Sequence, residues 1–420
     1  MRFWIVNPFD NLPGEGRRPL RYWALCRALA VAGHQVTWWS SDFHHAEKRR
    51  RGQLPPVYMA DDGFQVRLVP TPVYRRNISL ARWRSHAAFV RNWERDARAA
   101  VATGELSQPG LILTSQPPLG TADAAFRLRR DWNCKVVVDI QDAWPETFYR
   151  LVPGPEWLRR RFAPLLFHPA LCQARRACHG ADGVAAVGQT YLDLAAAHGC
   201  RAPRHLCHHG IDLAPAIQRP EFRRENGLRL AYIGFMGASY DLETVLGGVA
   251  GLVREGKPVS LDLAGCGPKE VALRRFIAGQ PCGVRERLRF HGYLGADELR
   301  RLLGESDLGL IPMKPESWVA IPNKAGDYAE AGLAMINGLT GETAALLAQW
   351  QAGTSYRVGD PASFSAAIMG YLDNPSRVRQ EGANARRLAE ERFDRQRIYP
   401  AFVRFLEETA AANLPTAGHR

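Results

Sequence analysis

Two kinds of apolar run alternate along the chain. Short, nearly unbroken ones predict strands: RFWIV (2–6), QVTWWSS (35–41), FQVRLVP (64–70), LILTS (111–115), KVVVDI (135–140) and GVAAVG (183–188). Longer ones broken at helical spacing predict helices, among them PLRYWALCRALAVAG (19–33) and GTADAAFRLRRDW (120–132). The alternation is that of a parallel α/β sheet. It stops in PRHLCHHGIDLAPAIQRPEFRRENG (203–227) and then restarts. New strands are expected at LRLAYIG (228–234), VSLDLAG (259–265), LRFHG (288–292), DLGLIP (307–312), LAMING (333–338) and SYRVG (355–359). Helices are expected to begin near Asp241, Glu270, Asp297, Pro322 and Thr343, and the stretch after Pro361 reads as mostly helical. The expectation is two α/β units in tandem, 1–210 and 211–395. A C-terminal helix and tail, 396–420, would return to the first unit, and the last residues, NLPTAGHR, look frayed. Two such sheets facing each other make a cleft with strand C-terminal ends on both sides, where ligands bind.

Composition narrows the class. A chain of 420 residues that is 46% hydrophobic and 23% charged is long enough for two cored domains. No apolar run reaches the length of a membrane span, and the first ten residues lack the apolar core and cleavage site of a signal peptide. The eight cysteines form no CxxC, so neither a zinc site nor a disulfide framework is indicated, and a reducing cytoplasm is expected. His44/His45 and His208/His209 are adjacent pairs whose side chains point apart, so no metal is assigned. The charge is one-sided. Residues 1–210 hold 29 Lys+Arg against 17 Asp+Glu, a net of +12; the remaining 26 and 25 leave +1 for residues 211–420. An acidic partner for the first half follows: a membrane surface, a phosphorylated substrate or nucleic acid. No nucleic-acid module is present and the second half would be idle, so nucleic acid is not expected.

Candidate chemistry sits in the loops after strands. In NPFDNLPGEGRRPLRYW (7–23), Gly14 and Gly16 allow close backbone approach, and Arg17 and Arg18 can fork onto phosphate. Neither GxGxxG nor GxxxxGK[ST] occurs, which weakens nicotinamide enzymes and P-loop NTPases together. In VVVDIQDAWPETF (136–148), Asp139, Gln141, Asp142 and Glu146 surround Trp144; they either face the cleft or cap the next helix. AYIGFMGASYDLETVL (231–246) places Gly234, Gly237 and Ser239 before a helix, and LDLAGCGPKEV (261–271) places Gly265 and Gly267 before another. IPNKAGDYAEAGLAMI (321–336) starts a helix with Asn323 and Lys324. Free amides there, the helix dipole and Lys324 suit a diphosphate, and Asp327, a turn later, suits ribose hydroxyls. The plain alternative is an amphipathic helix with its lysine in solvent.

Together these residues resemble the GT-B-fold glycosyltransferases of family 4, retaining enzymes that use nucleotide sugars. The likeness runs over nearly the whole chain. It rests on the first glycine-containing loop with LCRALAVAGHQVTWWSS (25–41), on GADGVAAVGQTYLDLAAAHG (180–199) with HHGIDL (208–213), and on LDLAGCGP, LRFHGYLGADELRRLLGESDLGLIPM (288–313) and IPNKAGDYAEAGLAMI in that order. DIQDAWPE (139–146) and GFMGASYDLETVL (234–246) look like the branch that works on lipid-linked intermediates of bacterial surface polysaccharides.

The resemblance implies an α/β fold of two Rossmann-like domains facing a cleft, with the acceptor on the first and the nucleotide sugar on the second. Gly237, Ser239, Gly265 and Gly267 would lie near the donor phosphates. Tyr293 and Leu294 would hold the base through backbone groups, Asn323 and Lys324 the diphosphate, and Asp327 the ribose. Gly14 and Gly16 would touch the sugar or the leaving phosphate, and Arg17, Arg18 and Trp144 the acceptor; Asp142 and Glu316 are the candidate catalytic carboxylates. The chain departs from the family pattern at three places. Val319 stands where the first of two glutamates falls, with Glu316 three residues earlier; GFMGASYD carries neither the usual Arg nor Lys; and Gln141 stands where many members have a histidine.

The function expected is transfer of a hexosyl or N-acetylhexosaminyl group from a UDP-linked donor to a lipid-linked or glycan acceptor in surface polysaccharide synthesis. No cofactor and no divalent metal would be needed, since amides and Lys324 stabilise the leaving diphosphate. The protein would sit at the inner face of the plasma membrane as a peripheral protein. RRNISLARWRSHAAFVRNWERDARAA (75–100) and PEWLRRRFAPLLFHPALCQARRA (155–177) are the segments suited to an anionic membrane, or else ordinary helices on the protein's own core. A nucleotide-sugar epimerase would need no basic acceptor surface. A non-catalytic partner in a polysaccharide assembly complex would bind nucleotide weakly or not at all.

Overall fold

The computed structural model describes residues 1–217 and 227–412. The frayed terminus expected at 413–420, and part of the break between units, lie outside the described residues. The chain forms two compact units, Met1–His209 with the helix from Ile398 onward, and Gly210–Arg397.

The first unit runs β1 (Arg2–Val6), α1 (Arg21–Val31), β2 (Gln35–Ser41), β3 (Phe43–His44), β4 (Arg49–Arg50), β5 (Val57–Met59), β6 (Gln65–Val69), α2 (Leu80–Ala102), β7 (Leu111–Gln116), α3 (Gly120–Trp132), β8 (Lys135–Ile140), α4 (Glu156–Leu166), α5 (His168–Gly180), β9 (Gly183–Ala186), α6 (Gln189–Ala197) and β10 (Arg204–Leu206). Its sheet has the order β10-β9-β8-β7-β1-β2-β6-β5, parallel except for the antiparallel edge strand β5. Strand β1 explains the continuous apolar runs. Phe3 and Ile5 enter one core with Trp38, Phe64 and α1, while Trp4 and Val6 enter the other with Trp39, Phe89 and Trp93. Both faces of the sheet are covered, so neither face is polar.

The second unit runs β11 (Leu228–Ile233), α7 (Leu242–Arg254), β12 (Val259–Ala264), α8 (Glu270–Ala278), α9 (Cys282–Arg285), β13 (Leu288–Gly292), α10 (Ala296–Gly304), β14 (Leu308–Ile311), α11 (Asn323–Glu330), β15 (Ala334–Asn337), α12 (Glu342–Trp350), β16 (Gly353–Ser355), α13 (Pro361–Asp373) and α14 (Ser376–Leu388), followed by α15 (Arg395–Ala411). The six-stranded sheet is wholly parallel, in the order β13-β12-β11-β14-β15-β16. The strand expected at 355–359 instead ends at Ser355, because Gly353 to Ser355 is the part that pairs with Met335 to Asn337. The short pair β3–β4, the edge β5 and the three-residue β10 carried no periodic signal. Helix α15 places Tyr399, Phe402, Val403 and Leu406 in the core of the first unit.

One polar cluster lies inside that core. Arg21 of α1 donates from Nε and Nη2 to Asp139 of β8 at 2.8 and 2.9 Å, and from Nη1 to the carbonyls of Cys207 (2.7 Å) and His208 (3.0 Å). The Tyr22 hydroxyl and the Gln141 amide also donate to Asp139, each at 2.8 Å. Burial by itself would lower the Arg21 pKa; Asp139 more than reverses this, and the guanidinium is held well above its ordinary value. Asp139 is thus a structural anchor and not a group open to ligand.

Removing one partner of a buried, hydrogen-bonded ion pair leaves a charge with no counterion. Asp139→Ala is expected to destabilise the first unit by about 3–5 kcal/mol. Replacing Arg21 and Asp139 together by apolar residues should cost less than the sum of the single changes, as measured by urea denaturation of the variants.

Candidate functional site

In a doubly wound sheet the loops at strand C-terminal ends diverge where the strand order reverses, leaving a crevice. In the second unit that place is between β11 and β14. The two strands pair only through Leu230 with Leu308 and Ala231 with Gly309. Beyond this point Tyr328 of α11 holds them. Its hydroxyl accepts from the Ile233 amide at 3.0 Å and donates to the carbonyls of Leu310 (3.0 Å) and Ala231 (3.2 Å). Its ring lies over Gly309, where an added Cβ would come within 2.4 Å of it, so the strand can carry only glycine there.

Lys324 opens α11 at the crevice. Its side chain is only 7% exposed, and Nζ makes no hydrogen bond. The ammonium lies 4.0 Å from the Tyr232 ring centroid and 4.2 Å from that of Tyr240. A Cβ built on Gly234 would be 3.7 Å from Nζ, so the exposed backbone of this glycine borders the charge. Burial drives the Lys324 pKa well below the ordinary lysine value, and nearby Asp327 opposes this without restoring it. A buried amine between two ring faces, with no ion pair or hydrogen bond among the described residues, would need an anion beside it to carry its full charge. The alternative of a lysine in solvent is excluded by the burial of Lys324 at the start of α11.

The loop after β11 forms the adjacent wall. The Asp241 amide donates to the Pro312 carbonyl at 2.7 Å, and the Lys314 amide donates to the Ser239 carbonyl at 2.9 Å. The Asp241 carboxylate accepts from Thr244 and from the Gly359 amide, both at 2.8 Å. Gly237 and Ser239 are therefore brought to the same edge as Asn323, Lys324 and Asp327. Gly265 and Gly267 have a packing role beside the one expected. The loop after β12 zips onto the loop after β11, with the Gly234 amide donating to Ala264 and the Met236 amide to Cys266, each at 2.9 Å. A Cβ on Gly265 would fall 1.9 Å from the Gly234 carbonyl oxygen. Backbone packing requires these glycines, whatever they do for a ligand. Tyr293 projects into solvent, Leu294 packs against the core, and Glu316 is exposed in a short turn before the exposed, left-handed Trp318.

The remaining sequence candidates belong to the first unit. Gly14 and Gly16 both have positive φ, and the loop they frame folds Glu15 inward, 2.7 Å from Arg51 Nη1 and accepting from the Leu12 amide at 2.8 Å. Arg17 is paired with Glu47, and Arg18 is exposed. The expectation that Trp144 contacts an acceptor is corrected: it is 2% exposed, inside a cluster with Leu119, Phe148 and Trp83. His86 stacks on it at 5.4 Å, and the Arg82 guanidinium lies over it at 4.7 Å. Arg82 also donates to the Asn77 carbonyl at 3.0 Å, so it is built into this cluster. Asp142 is exposed at the surface of this unit, although protein atoms crowd around its carboxyl. The surrounding protein pushes its carboxyl up to about 6, against the pull of Arg82 and Arg150. The adjacent histidines do diverge: His44 accepts from the Glu47 amide, while His45 meets the Tyr74 hydroxyl. Sequence reasoning missed Tyr232 and Tyr240, and it expected Arg82, with Arg84 and Arg91, to contact an anionic membrane. A tyrosine near a strand end has no signature until the chain is folded.

Comparison with known proteins agrees with this geometry. No curated protein matches the chain by sequence. Among solved structures, sucrose-phosphate synthase from Thermosynechococcus elongatus superposes with a TM-score of 0.72 at 16% identity, covering 98% of this chain and 100% of that one. Anabaena HepE in complex with UDP gives 0.66 at 14% identity, covering 97% and 100%. WaaG, a glycosyltransferase involved in lipopolysaccharide biosynthesis, gives 0.61 at 13%, covering 96% and 99%. Residues 227–374, which include the whole Lys324 site, match the family described as Glycosyl transferases group 1. The chain thus has the GT-B fold of two Rossmann-like domains, and its second unit carries a Glycosyl transferases group 1 domain.

Proposed function

We propose that the protein is a retaining glycosyltransferase of family 4. It moves a sugar from a UDP-linked donor to a lipid-linked or glycan acceptor in surface polysaccharide synthesis. The observation that carries this reading is the Lys324 amine, buried at a helix N-terminus beside a strand switch point with no hydrogen bond to its Nζ. A nucleoside diphosphate supplies the missing charge. The HepE structures that share this fold hold UDP and UDP-glucose, which favours uridine as the base.

In this reading the bond from the anomeric carbon to the β-phosphate oxygen breaks while the acceptor hydroxyl adds to the same face. Negative charge grows on the leaving diphosphate. Lys324 and the amides opening α11 oppose it, with water excluded by Tyr232 and Tyr240. The acceptor hydroxyl must lose a proton. Asp142, held near 6, is the first unit's candidate to take it, and it is largely ionised at neutral pH. Arg17 and Arg18 remain the proposed contacts for an acidic acceptor, and Asp327 for the ribose. The first unit's basic excess suits an acceptor ending in lipid phosphate at the inner membrane face.

A thermal-shift series with UDP, GDP, CDP and dTDP should show stabilisation by UDP without added divalent metal. No shift with any of them removes the donor site and leaves a non-catalytic partner. Lys324→Met should weaken UDP binding by about 1–3 kcal/mol, measured by calorimetry. The same change should stabilise the empty protein. The unfolded chain holds the Lys324 proton more tightly than the folded one, so a penalty exists below the unfolded value of about 10.4 and fades as pH rises toward it. Binding a diphosphate draws that proton back. UDP affinity should therefore fall as pH rises, with proton uptake seen as a buffer-dependent heat that Lys324→Met abolishes. Transfer activity should rise with pH through about 6 as Asp142 ionises, and Asp142→Asn should remove that limb.

A further inference from the structure

We propose that helix α4 docks the protein on an anionic lipid surface through an outward-facing apolar stripe. A helix on a water-soluble domain normally turns its apolar side chains inward. In α4 the arrangement is reversed. Trp157 and Leu165 are each 67% exposed, Leu166 is 68% and Phe162 47%, while Ala163 is fully buried. At helical spacing Trp157, Phe162, Leu165 and Leu166 share one half of the circumference, and Ala163 lies on the other. Exposed Arg161 falls within the outer half, and Leu151 extends the apolar surface from the preceding turn. Single exposed apolar residues are ordinary, but four large ones on three turns of helix form a patch.

Charge identifies the occupant. Residues 150–176 carry six arginines against one glutamate. Arg161 and Arg175 are exposed, and no ion pair is found for either among the described residues. A second copy of this chain would bring arginine against arginine. A bilayer with anionic headgroups accepts the arginines at its surface and the tryptophan, phenylalanine and leucines at the acyl boundary. The first unit's net charge of +12 adds a longer-ranged attraction of the same sign. Among the described residues no helix is long and apolar enough to cross a membrane, so the contact is interfacial.

Helix α2 shows why sequence alone did not decide between the two segments. Its composition is similar, yet Phe89, Val90, Trp93 and Ala97 are in the core; apart from Leu80 at its first position, 75% exposed, its outward face carries charged and small residues such as Arg84 and Arg91. A helix that has spent its apolar face on its own domain has only electrostatic attraction left for lipid.

The docking rests on the exposed face and not on the transferase reading, so the two fail separately. The test is co-sedimentation of the full chain with vesicles of phosphatidylcholine, with and without phosphatidylglycerol. The variant carries Trp157→Ser, Phe162→Ser, Leu165→Ser and Leu166→Ser together. These sites are exposed, so the fold should persist, as checked by circular dichroism and by an unchanged thermal shift with UDP. The wild type should bind the phosphatidylglycerol vesicles, and the variant should lose at least about tenfold in partitioning. An Arg84→Glu, Arg91→Glu variant of α2 should keep most of the binding. Equal sedimentation of the wild type and the α4 variant overturns the proposal, as does absence of vesicle binding by the wild type. A wild-type dimer that the α4 variant dissolves, without vesicle binding, would assign the face to a second copy instead. Vesicle binding with no UDP shift in the wild type would leave the docking standing and remove the donor site.

Discussion

The first unit depends on a single buried ion pair. Arg21 and Asp139 are 118 residues apart in sequence, yet they share two hydrogen bonds inside the core. The pair joins helix α1 to strand β8. Through Arg21 Nη1 it also fixes the Cys207 and His208 carbonyls, where the chain is about to leave this unit. Tyr399 of the returning helix donates to the His209 carbonyl at 2.9 Å, and the Arg21 guanidinium lies 4.9 Å from the Phe402 ring centroid. Exit and re-entry of the chain are thus tied to one charge pair. Such a pair is poor evidence of net stability, because desolvation opposes it. What it supplies is register: Asp139 is the carboxylate with which the buried guanidinium pairs.

The second unit solves a related problem with one hydroxyl. Where β11 and β14 part, their amides and carbonyls would be left without partners, and a buried unpaired group is costly. Tyr328 serves three of them, accepting from one amide and sharing its single proton between two carbonyls, provided that Gly309 leaves space for its ring. The same residue anchors α11, which begins one turn earlier with Asn323 and Lys324. The strand parting that creates the crevice and the helix that charges it are therefore set by one side chain.

Lys324 and Asp142 are shifted in opposite directions by the protein around them. Burial lowers the lysine, and the protein atoms crowding the exposed Asp142 raise the carboxyl, so both groups move toward neutrality in the empty protein. In the proposed function each would change its charge when a ligand arrives, one by gaining an anion and the other by facing a hydroxyl that must lose a proton. A patch such as α4 represents a third departure from local preference, an apolar face left in water. Proteins tend to break such rules where they work.

The alternation of apolar runs by itself determined the two α/β units, nearly every central strand, and the helix starts near Asp241, Glu270 and Pro322, because strand and helix periods are properties of neighbouring residues. It also placed Gly237, Ser239, Asn323 and Lys324 at strand-to-helix loops, where a parallel fold puts its ligands. The short strands β3, β4, β5 and β10 carried too few residues to show a period. The roles of particular residues were decided only by tertiary structure. Asp139 looked like a group facing a cleft and is a core anchor; Trp144 looked like a contact and is buried; Gly265, expected beside a phosphate, is required by backbone contact whatever it does for a ligand. Tyr232 and Tyr240 gave no sign of enclosing Lys324, and α2 and α4 looked equally suited to a membrane. In each case the deciding quantity is what lies across from a side chain in space. That is set by contacts between segments far apart in the chain, which no local pattern records.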